Sequence, residues 1–289
     1  MSLLKTAERV GRRALMAHGV KSRTVPVQGG ALHLYEAPGR GSLPDVVILH
    51  GIGSAATPFA PVIQRLRRHH RRVLALDAPG HGFSPAPTGL LTPGRLFSSL
   101  AEALDRELRE PAILLGNSLG GGMALRYALE RPARIRGLVL SSPAGAPTGD
   151  AALREFLGSF HMRTVKDARD FLGRLYHQAP WFMPLLAPAV QGIFAQPQIR
   201  DLIHSVQPDD FFTPQQLRSV AVPLLLLWGR SERLMPSDHL RYFQAHLPGH
   251  ALIEEPEDFG HCPHLDRPSA LARRITAFAS DLPGALRAA

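Results

Sequence analysis

The stretch that decides the fold is AILLGNSLGGGMAL, residues 112–125. An apolar run typical of a strand is followed by the pattern Gly-x-Ser-x-Gly and then by an alanine-containing pattern typical of a helix. A strand, a tight turn and a helix in this order hold the central serine, Ser118, at the tip of the turn with its hydroxyl projecting. Gly116 and Gly120 fit this strained turn, because side chains at both positions would collide across it. The motif predicts that Ser118 is a nucleophile.

Further out, apolar runs of strand type alternate with helical patterns along most of the chain. This alternation predicts an α/β fold with a mostly parallel central sheet flanked by helices. The predicted strands lie at residues 31–35, 45–49, 72–76, 112–116, 137–141, 223–228 and 251–254.

The alternation stops between about residues 146 and 220, where helix signals continue without a strand. Thr164-x-x-Asp167 and the sequence TPQQ at 213–216 are typical helix starts. We therefore predict a helical cap inserted after the sixth strand of the sheet. The predicted organisation is an N-terminal helical extension (1–20), a core in two segments (21–145 and 221–289) and the cap (146–220).

Two further residues follow predicted strands in the way that Ser118 does. A serine hydroxyl attacks only when a base removes its proton, and an acid must orient that base. Glu232 follows the strand at 223–228 and His261 follows the last strand, so both fall at the carboxyl edge where active sites of open α/β sheets form. We predict His261 as the base and Glu232 as the acid. Asp238, or an acid-free arrangement near Ser142, stays open as an alternative.

A glycine-containing loop after the strand at 45–49 supplies the remaining part of such a site. Its sequence is HGIG, residues 50–53. Backbone N–H groups of this loop and of the residue after the nucleophile can together stabilise a negatively charged oxygen. We predict Leu119 and Ile52 as the oxyanion-hole donors, with Gly53 as the second choice for the loop.

These motifs resemble those of the α/β-hydrolase superfamily, from about residue 24 to the end of the chain. The markers are HGIG (50–53), DAPGHGFS (77–84), GNSLGG (116–121), WGRSERLMP (228–236) and GHCPHLDRP (260–268). The segment LSSPAG (140–145) and the helical insertion after it resemble bacterial esterases and lipases of the monoacylglycerol-lipase-like group. The resemblance implies hydrolysis of small carboxylic esters with an apolar acyl group through an acyl-enzyme, without a cofactor.

Two departures from the superfamily pattern keep other functions open. The sequence GNSLGGGMAL also resembles the nucleophile turn of meta-cleavage C–C hydrolases, but Cys262 stands where those enzymes usually have tryptophan. Family members commonly have aspartate where Glu232 stands, and the longer glutamate needs a slightly different backbone position to reach His261. A third hypothesis is a binding protein without turnover. A serine rather than an aspartate at position 118 disfavours epoxide hydrolases and haloalkane dehalogenases.

Large apolar side chains are concentrated in the predicted cap. Trp181 and Phe182 are our predicted substrate-binding residues, because they lie in the proline-punctuated apolar stretch APWFMPLLAP. Pockets for apolar ligands are lined mainly by such side chains. Packing within the cap is the alternative role for both, and equally for Phe156, Phe160, Phe171 and Met183.

The histidines other than His261 receive structural interpretations. His50 and His81 lie in glycine-containing loops, and we interpret both as loop residues. His264 is the competitor of His261 for the role of base, and His69 and His70 are predicted to face solvent. No metalloprotease-like histidine spacing is present in the sequence, so we predict no metal.

Composition limits the partners and the compartment. The net charge is +9, but the positive charge is spread along the chain, with only one dense run at 65–72, so we predict no nucleic-acid partner. The single cysteine rules out an intrachain disulfide. The N-terminus is too polar for a signal peptide and no run is long enough to span a bilayer, which predicts a cytoplasmic protein. The basic N-terminal helix is predicted to dock on the protein, and contact with a membrane surface is its alternative.

Overall fold

The computed structural model describes residues 3–283. Residues 1–2 of the predicted extension and 284–289 of the predicted core lie outside this range. The strands are β1 (Lys21–Val27), β2 (Gly30–Pro38), β3 (Val46–Leu49), β4 (Arg72–Leu76), β5 (Ala112–Asn117), β6 (Ile135–Ser141), β7 (Leu224–Leu227) and β8 (Leu252–Glu254).

Twelve α-helices occur within the described residues. They are α1 (Leu3–Ala17), α2 (Ala60–Leu66), α3 (Pro93–Glu107), α4 (Leu119–Glu130), α5 (Asp150–Gly158), α6 (Val165–Leu175), α7 (Ala187–Phe194), α8 (Pro197–His204), α9 (Pro214–Arg218), α10 (Ser237–His246), α11 (Pro263–Asp266) and α12 (Pro268–Asp281). Short 3-10 helices cover Thr57–Phe59, Pro132–Arg134, Met183–Leu186 and Pro208–Asp210.

The eight strands form one sheet in the order β1-β2-β4-β3-β5-β6-β7-β8. β2 pairs antiparallel with β1 and β4, and every other pair is parallel. The predicted fold class and all seven predicted strands are confirmed. The structure adds β1, which the sequence analysis missed. β1 is an edge strand that contains Pro26, and proline is tolerated at an edge because one side of the strand needs no partner.

Helices cover both faces of the sheet. Alternate side chains of β5 therefore pack into two different apolar layers. Leu114 belongs to the apolar layer shared with α3 and α4, whereas Ile113 and Leu115 belong to the layer shared with α2 and α12. All three side chains are fully buried, as expected for a strand of a parallel sheet covered on both faces. This burial fixes the carboxyl end of β5, where the motif with Ser118 begins.

The segment between β6 and β7 contains α5–α9 and no strand; all of residues 146–220 are described. Both predicted helix starts are present as capping boxes, Thr164 with Asp167 and Thr213 with Gln216. Helices α5–α8 share an apolar cluster, which includes Phe160, Phe171, Leu172, Val190, Phe194 and Ile199. Leu234 from outside the segment joins this cluster, and Leu217 of α9 packs in the layer with α3 and α4 instead. The segment therefore has a small core in addition to the two layers on the sheet.

The N-terminal helix α1 packs on the protein. It contacts the 3-10 helix at Thr57–Phe59, β1 and α7, and Leu15 on its inner side is buried. Leu3, Val10 and Met16 on the same helix are exposed. Among residues 3–283, no helix is long and apolar enough to cross a membrane.

The basic run at 65–72 differs in part from the prediction. His69 is exposed as expected, but His70 is fully buried, so its predicted solvent exposure is wrong. The ring Nδ1 of His70 bonds the carbonyl oxygen of Pro44 at 2.7 Å, which turns the ring inward. Arg72 is also buried and pairs with Asp45 at 2.9 Å.

Candidate active site

The turn between β5 and α4 holds Ser118 in a strained backbone conformation, with φ 54° and ψ −122°. A left-handed φ is costly for a residue with a side chain and is found mainly at functional sites. The positions of Gly116 and Gly120 have no room for a side chain. A Cβ on Gly116 would lie 2.3 Å from the carbonyl oxygen of Gly120, and a Cβ on Gly120 would lie 2.3 Å from that of Leu49. The turn therefore depends on both predicted glycines.

The structure brings the predicted base and acid into contact. The Nδ1 atom of His261 lies 2.8 Å from the Oε2 atom of Glu232, and both side chains are 3% exposed. The other carboxylate oxygen of Glu232 accepts hydrogen bonds from the N–H groups of Leu234 at 2.7 Å and Met235 at 3.0 Å. With Nδ1 donating to the carboxylate, Nε2 of the neutral imidazole is left as a proton acceptor.

The charge state of Glu232 follows from its surroundings. Burial by itself raises the pKa of this carboxyl, but the adjacent His261 and the hydrogen bonds that the carboxylate accepts hold the pKa below its usual range. Glu232 is therefore ionised at neutral pH. The alternative acid, Asp238, is mostly exposed and pairs with Arg241, while Glu232 occupies the position beside His261. This contact of Glu232 with His261 disfavours the alternative of an acid-free arrangement near Ser142.

Asn117, which the sequence analysis did not single out, connects the parts of the site. Its side-chain amide donates to the carbonyl oxygens of Ser141 at 3.1 Å and His261 at 2.9 Å. The residue before Ser118 therefore holds the end of β6 and the loop that carries His261. The only sequence signal was its position in Gly-x-Ser-x-Gly, where any residue type satisfies the pattern.

The predicted oxyanion-hole donors lie beside the nucleophile. Ile52 and Leu119 both line a cavity that Ser118 also lines. The backbone N–H groups of Ile52, Gly53 and Leu119 donate to no protein group of residues 3–283. Gly51 brings the loop close, because a Cβ on it would lie 3.1 Å from the Cβ of Ser118. Free N–H groups at this position can stabilise a developing oxyanion.

Ser118 lies between two cavities. The larger one, about 210 Å³, is also lined by His261 and by apolar residues of α6 and α7. The smaller one, about 90 Å³, is lined by α5, α8 and the start of α10. Ile52 and Phe160 line both. A substrate whose carbonyl reaches Ser118 can therefore place its two ends in different spaces.

The structure does not support the predicted substrate contacts of Trp181 and Phe182. Trp181 is 88% exposed, Phe182 is 44% exposed, and neither lines either cavity. The 3-10 helix that follows them turns Met183 into the apolar cluster around Phe171 and Leu186 towards the larger cavity instead. One side of the apolar stretch is therefore buried and the other is exposed, and the composition alone does not show which residues lie on each side.

The remaining histidines near the site are buried. His50 uses both ring nitrogens, on the carbonyl oxygen of Gly51 at 2.7 Å and the N–H of Ala78 at 3.0 Å, in keeping with a structural role. His264 stacks on Phe59 with ring centroids 3.8 Å apart, and burial lowers the pKa of His264 to about 3. Neither of these two rings bonds Glu232, whereas His261 does.

The helix α1 also reaches the site, which the sequence analysis did not predict. Leu4 and Glu8 line the larger cavity together with Leu186 and Leu265. Burial is the main cause that raises the pKa of Glu8. The spacing of four residues between Leu4 and Glu8 places them on one helical face, but nothing in the sequence indicated what that face covers.

The family follows from a match over most of the chain. The model of the alpha/beta hydrolase family matches residues 46–274, a range that contains Ser118, Glu232 and His261. The chain belongs to the alpha/beta hydrolase family, and the resemblance stated from the motifs is confirmed.

Relatives and a solved structure are similar to the chain over most of its length. The chain is 28% identical over 253 residues to a pimeloyl-[acyl-carrier protein] methyl ester esterase of Xanthomonas campestris pv. campestris, covering 83% of this chain and 96% of the relative. It is 28% identical over 260 residues to the sn-1-specific diacylglycerol lipase ABHD11 of Mus musculus, covering 83% and 82%. The crystal structure of a membrane phospholipase A is similar with a TM-score of 0.80 and 24% identity, covering 95% of this chain and 90% of that one.

Proposed function

We propose that this chain, a carboxylic ester hydrolase by its family and relatives, cleaves esters with an apolar acyl group through an acyl-enzyme on Ser118. The observation that carries the proposal is the buried 2.8 Å contact between Glu232 and His261, beside the strained turn that holds Ser118. In the proposed triad Ser118 is the nucleophile, His261 the base and Glu232 the acid. A serine held in this way needs all three roles to react at neutral pH.

The proposed reaction proceeds through the Ser118 hydroxyl and the His261 imidazole. Nε2 of His261 takes the hydroxyl proton while Oγ of Ser118 bonds to the ester carbonyl carbon. The N–H groups of Leu119 and Ile52 hold the oxyanion of the tetrahedral intermediate. When the intermediate collapses, His261 returns the proton to the leaving alcohol oxygen. Water then attacks the acyl-enzyme by the same steps and releases the carboxylic acid and free Ser118.

We assign the two ends of the ester to the two cavities. Because His261 must protonate the leaving oxygen, the alcohol occupies the larger cavity, which His261 lines. The acyl group then occupies the smaller cavity, where Leu119 and Ile52 lie. Its walls are apolar side chains of α5 and α8, and apolar contact with them favours an apolar acyl group.

We further propose the domain division made from the sequence, in which residues 146–220 act as a cap over a core of residues 21–145 and 221–289. The support is the apolar cluster shared by α5–α8 and the place of Phe160 between the two cavities. The partner is a small ester substrate. Contact of α1 with a membrane surface stays a prediction. Substitution of the exposed Val10 or Met16 can test it.

The test is a panel of 4-nitrophenyl esters from C2 to C12, hydrolysed by the wild type and by Ser118→Ala. Ser98→Ala is the matched control, since Ser98 is exposed on α3 and lines neither cavity. We expect turnover by the wild type and by Ser98→Ala, and its loss in Ser118→Ala. Cleavage of a vinylogous diketone without ester turnover would instead favour a C–C hydrolase, and binding of esters without turnover would favour a binding protein.

A further inference from the structure

The smaller cavity contains one polar side chain besides that of Ser118. His239, in the first turn of α10, lines this cavity and is 2% exposed. The other side chains that line it are apolar or absent, as in Phe156, Leu202, Val206 and Gly145. Neither Nδ1 nor Nε2 of His239 has a hydrogen-bond partner among the residues that the structure describes.

An unpaired ring in this position requires an explanation. Buried polar groups in folded proteins nearly always have a hydrogen-bond partner, and the exceptions are often functional. The neighbours of His239 offer none: its ring meets the edge of the Phe156 ring, with centroids 6.0 Å apart. His264 is likewise unpaired, but Phe59 covers its ring by stacking. His239 instead borders an open space that the proposed function assigns to the acyl group.

We infer that His239 donates a hydrogen bond to a neutral oxygen carried by the acyl chain of the substrate, such as a keto or ester carbonyl. This inference rests on the proposed function, because it uses the acyl cavity beside Ser118. The acyl substrate class is therefore an oxygenated chain rather than a plain alkyl chain.

The charge of the ring selects the kind of oxygen. Burial lowers the pKa of His239 to about 4, so the imidazole is neutral at pH 7 and offers one N–H donor and one acceptor. A neutral donor suits a carbonyl or hydroxyl oxygen. A carboxylate would enter an apolar cavity that has no cationic side chain on its wall, which is unfavourable.

The expected effect is a preference within matched substrates. A site that hydrogen-bonds a group of the substrate disfavours the analogue that lacks it, because the protein group is then left unpaired. We expect one oxygenated ester to exceed its alkyl parent in kcat/KM by about tenfold. The position of the oxygen along the chain identifies the point that His239 reaches.

The experiment measures kcat/KM for 4-nitrophenyl hexanoate and its 3-oxo, 4-oxo and 5-oxo derivatives, with the rate of Ser118→Ala subtracted. In the wild type, one oxo ester is expected to be preferred about tenfold over hexanoate. In His239→Leu the ratio of the two kcat/KM values should fall to about one, because the donor is gone. His239→Met is the second non-donor variant, should the first fail to fold, and His239→Gln should retain part of the preference.

His246→Leu is the matched control, because it removes an imidazole from the same helix at a position that lines neither cavity. Its ratio should remain that of the wild type. The inference is overturned when no oxo ester is preferred by the wild type, or when the preference survives in His239→Leu or His239→Met. A wild type that hydrolyses hexanoate but shows no preference refutes the role of His239 alone. A wild type without activity on any ester refutes the proposed function and this inference with it.

Discussion

The side-chain amide of Asn117 donates a hydrogen bond to the main-chain carbonyl oxygen of His261 at 2.9 Å. The residue that precedes the proposed nucleophile thus holds the loop of the proposed base. The same amide donates to the carbonyl oxygen of Ser141 at 3.1 Å, so its two N–H groups connect the carboxyl end of β5 with the end of β6 and with the loop after β8. This buried side chain, in addition to the strands, fixes the position of His261 relative to Ser118.

Asn117→Ala should therefore lower kcat more than it changes KM. The substitution leaves two buried carbonyl oxygens without this donor, a loss that costs about 1–3 kcal/mol of stability and loosens the loop of His261. We expect kcat to fall about tenfold with KM within about twofold, since substrate contacts are not removed. The measurement is steady-state kinetics beside thermal unfolding. A lower Tm with an unchanged kcat would show that Asn117 has a structural role only.

Ser118→Ala should abolish ester turnover and leave the fold intact. Removing the hydroxyl removes the covalent route, and only the effects of binding and the oxyanion hole remain, so kcat should fall by several orders of magnitude, roughly 10³-fold or more. Circular dichroism and Tm check the fold. A folded variant that keeps more than about a tenth of the wild-type kcat contradicts the assignment.

Glu232→Gln tests the acid, with Asp238→Asn as its matched control. The amide keeps the shape of the side chain but loses the negative charge that orients His261 and stabilises its protonated form. We expect kcat to fall roughly 10²- to 10⁴-fold in Glu232→Gln. Asp238 is exposed and paired with Arg241, so Asp238→Asn should leave kcat within about twofold. The reverse result would make Asp238 the acid.

The order of strands and motifs was predictable because it follows from short-range patterns. Apolar runs of four to six residues located seven strands, and motifs at their ends located Ser118, Glu232 and His261. β1 was missed because Pro26 and alternating polar residues weaken its pattern, and its pairing with β2 provides the missing information. Local patterns show which residues favour a strand, but they do not show which other strand pairs with it.

The cap and the positioning residues were less predictable for the same physical reason. Composition marked residues 180–188 as apolar, but only packing decides that Met183 faces inward while Trp181 is exposed. His70 was expected to be solvated in a basic run, yet the carbonyl oxygen of Pro44 holds its ring inside. Asn117 and His239 acquire their roles from contacts with residues far along the chain, so no spacing rule singles them out.

The stability of the protein should decrease as the pH falls from 7 to 5. Burial lowers the pKa of His70 and His239 to about 4, and the pKa of His81 and His264 to about 3. Their ordinary pKa in the unfolded chain is near 6.5, so below that pH the unfolded state binds protons that the folded state does not. The contribution of these buried histidines to the free energy of unfolding is complete above about pH 6.5 and is lost progressively towards pH 4.

Urea unfolding at pH 7.5, 6.0 and 5.0 measures this effect. We expect the free energy of unfolding to fall by several kcal/mol over the range, since each of the four rings contributes up to about one proton to the slope. His70→Gln removes one ring at a distance from the cavities and should make the slope shallower by up to one proton. An unfolding free energy that stays constant down to pH 5 would show that these rings titrate normally in the folded protein.

The last prediction separates two roles of α1 with a matched pair of variants. Leu4 lines the larger cavity, where the proposed mechanism places the alcohol of the ester, whereas Val10 on the same helix is 58% exposed and does not line it. Leu4→Ser removes apolar contact, worth about 0.8 kcal/mol for each buried methylene, so kcat/KM for hexyl and octyl esters should fall about three- to tenfold. Methyl esters of the same acid should be unaffected, and Val10→Ser should behave as the wild type with every ester. Sedimentation with anionic vesicles tests the membrane alternative in the same proteins: loss of vesicle binding in Val10→Ser, with unchanged kinetics of Leu4→Ser on octyl esters, would assign α1 to a membrane surface instead of the alcohol cavity.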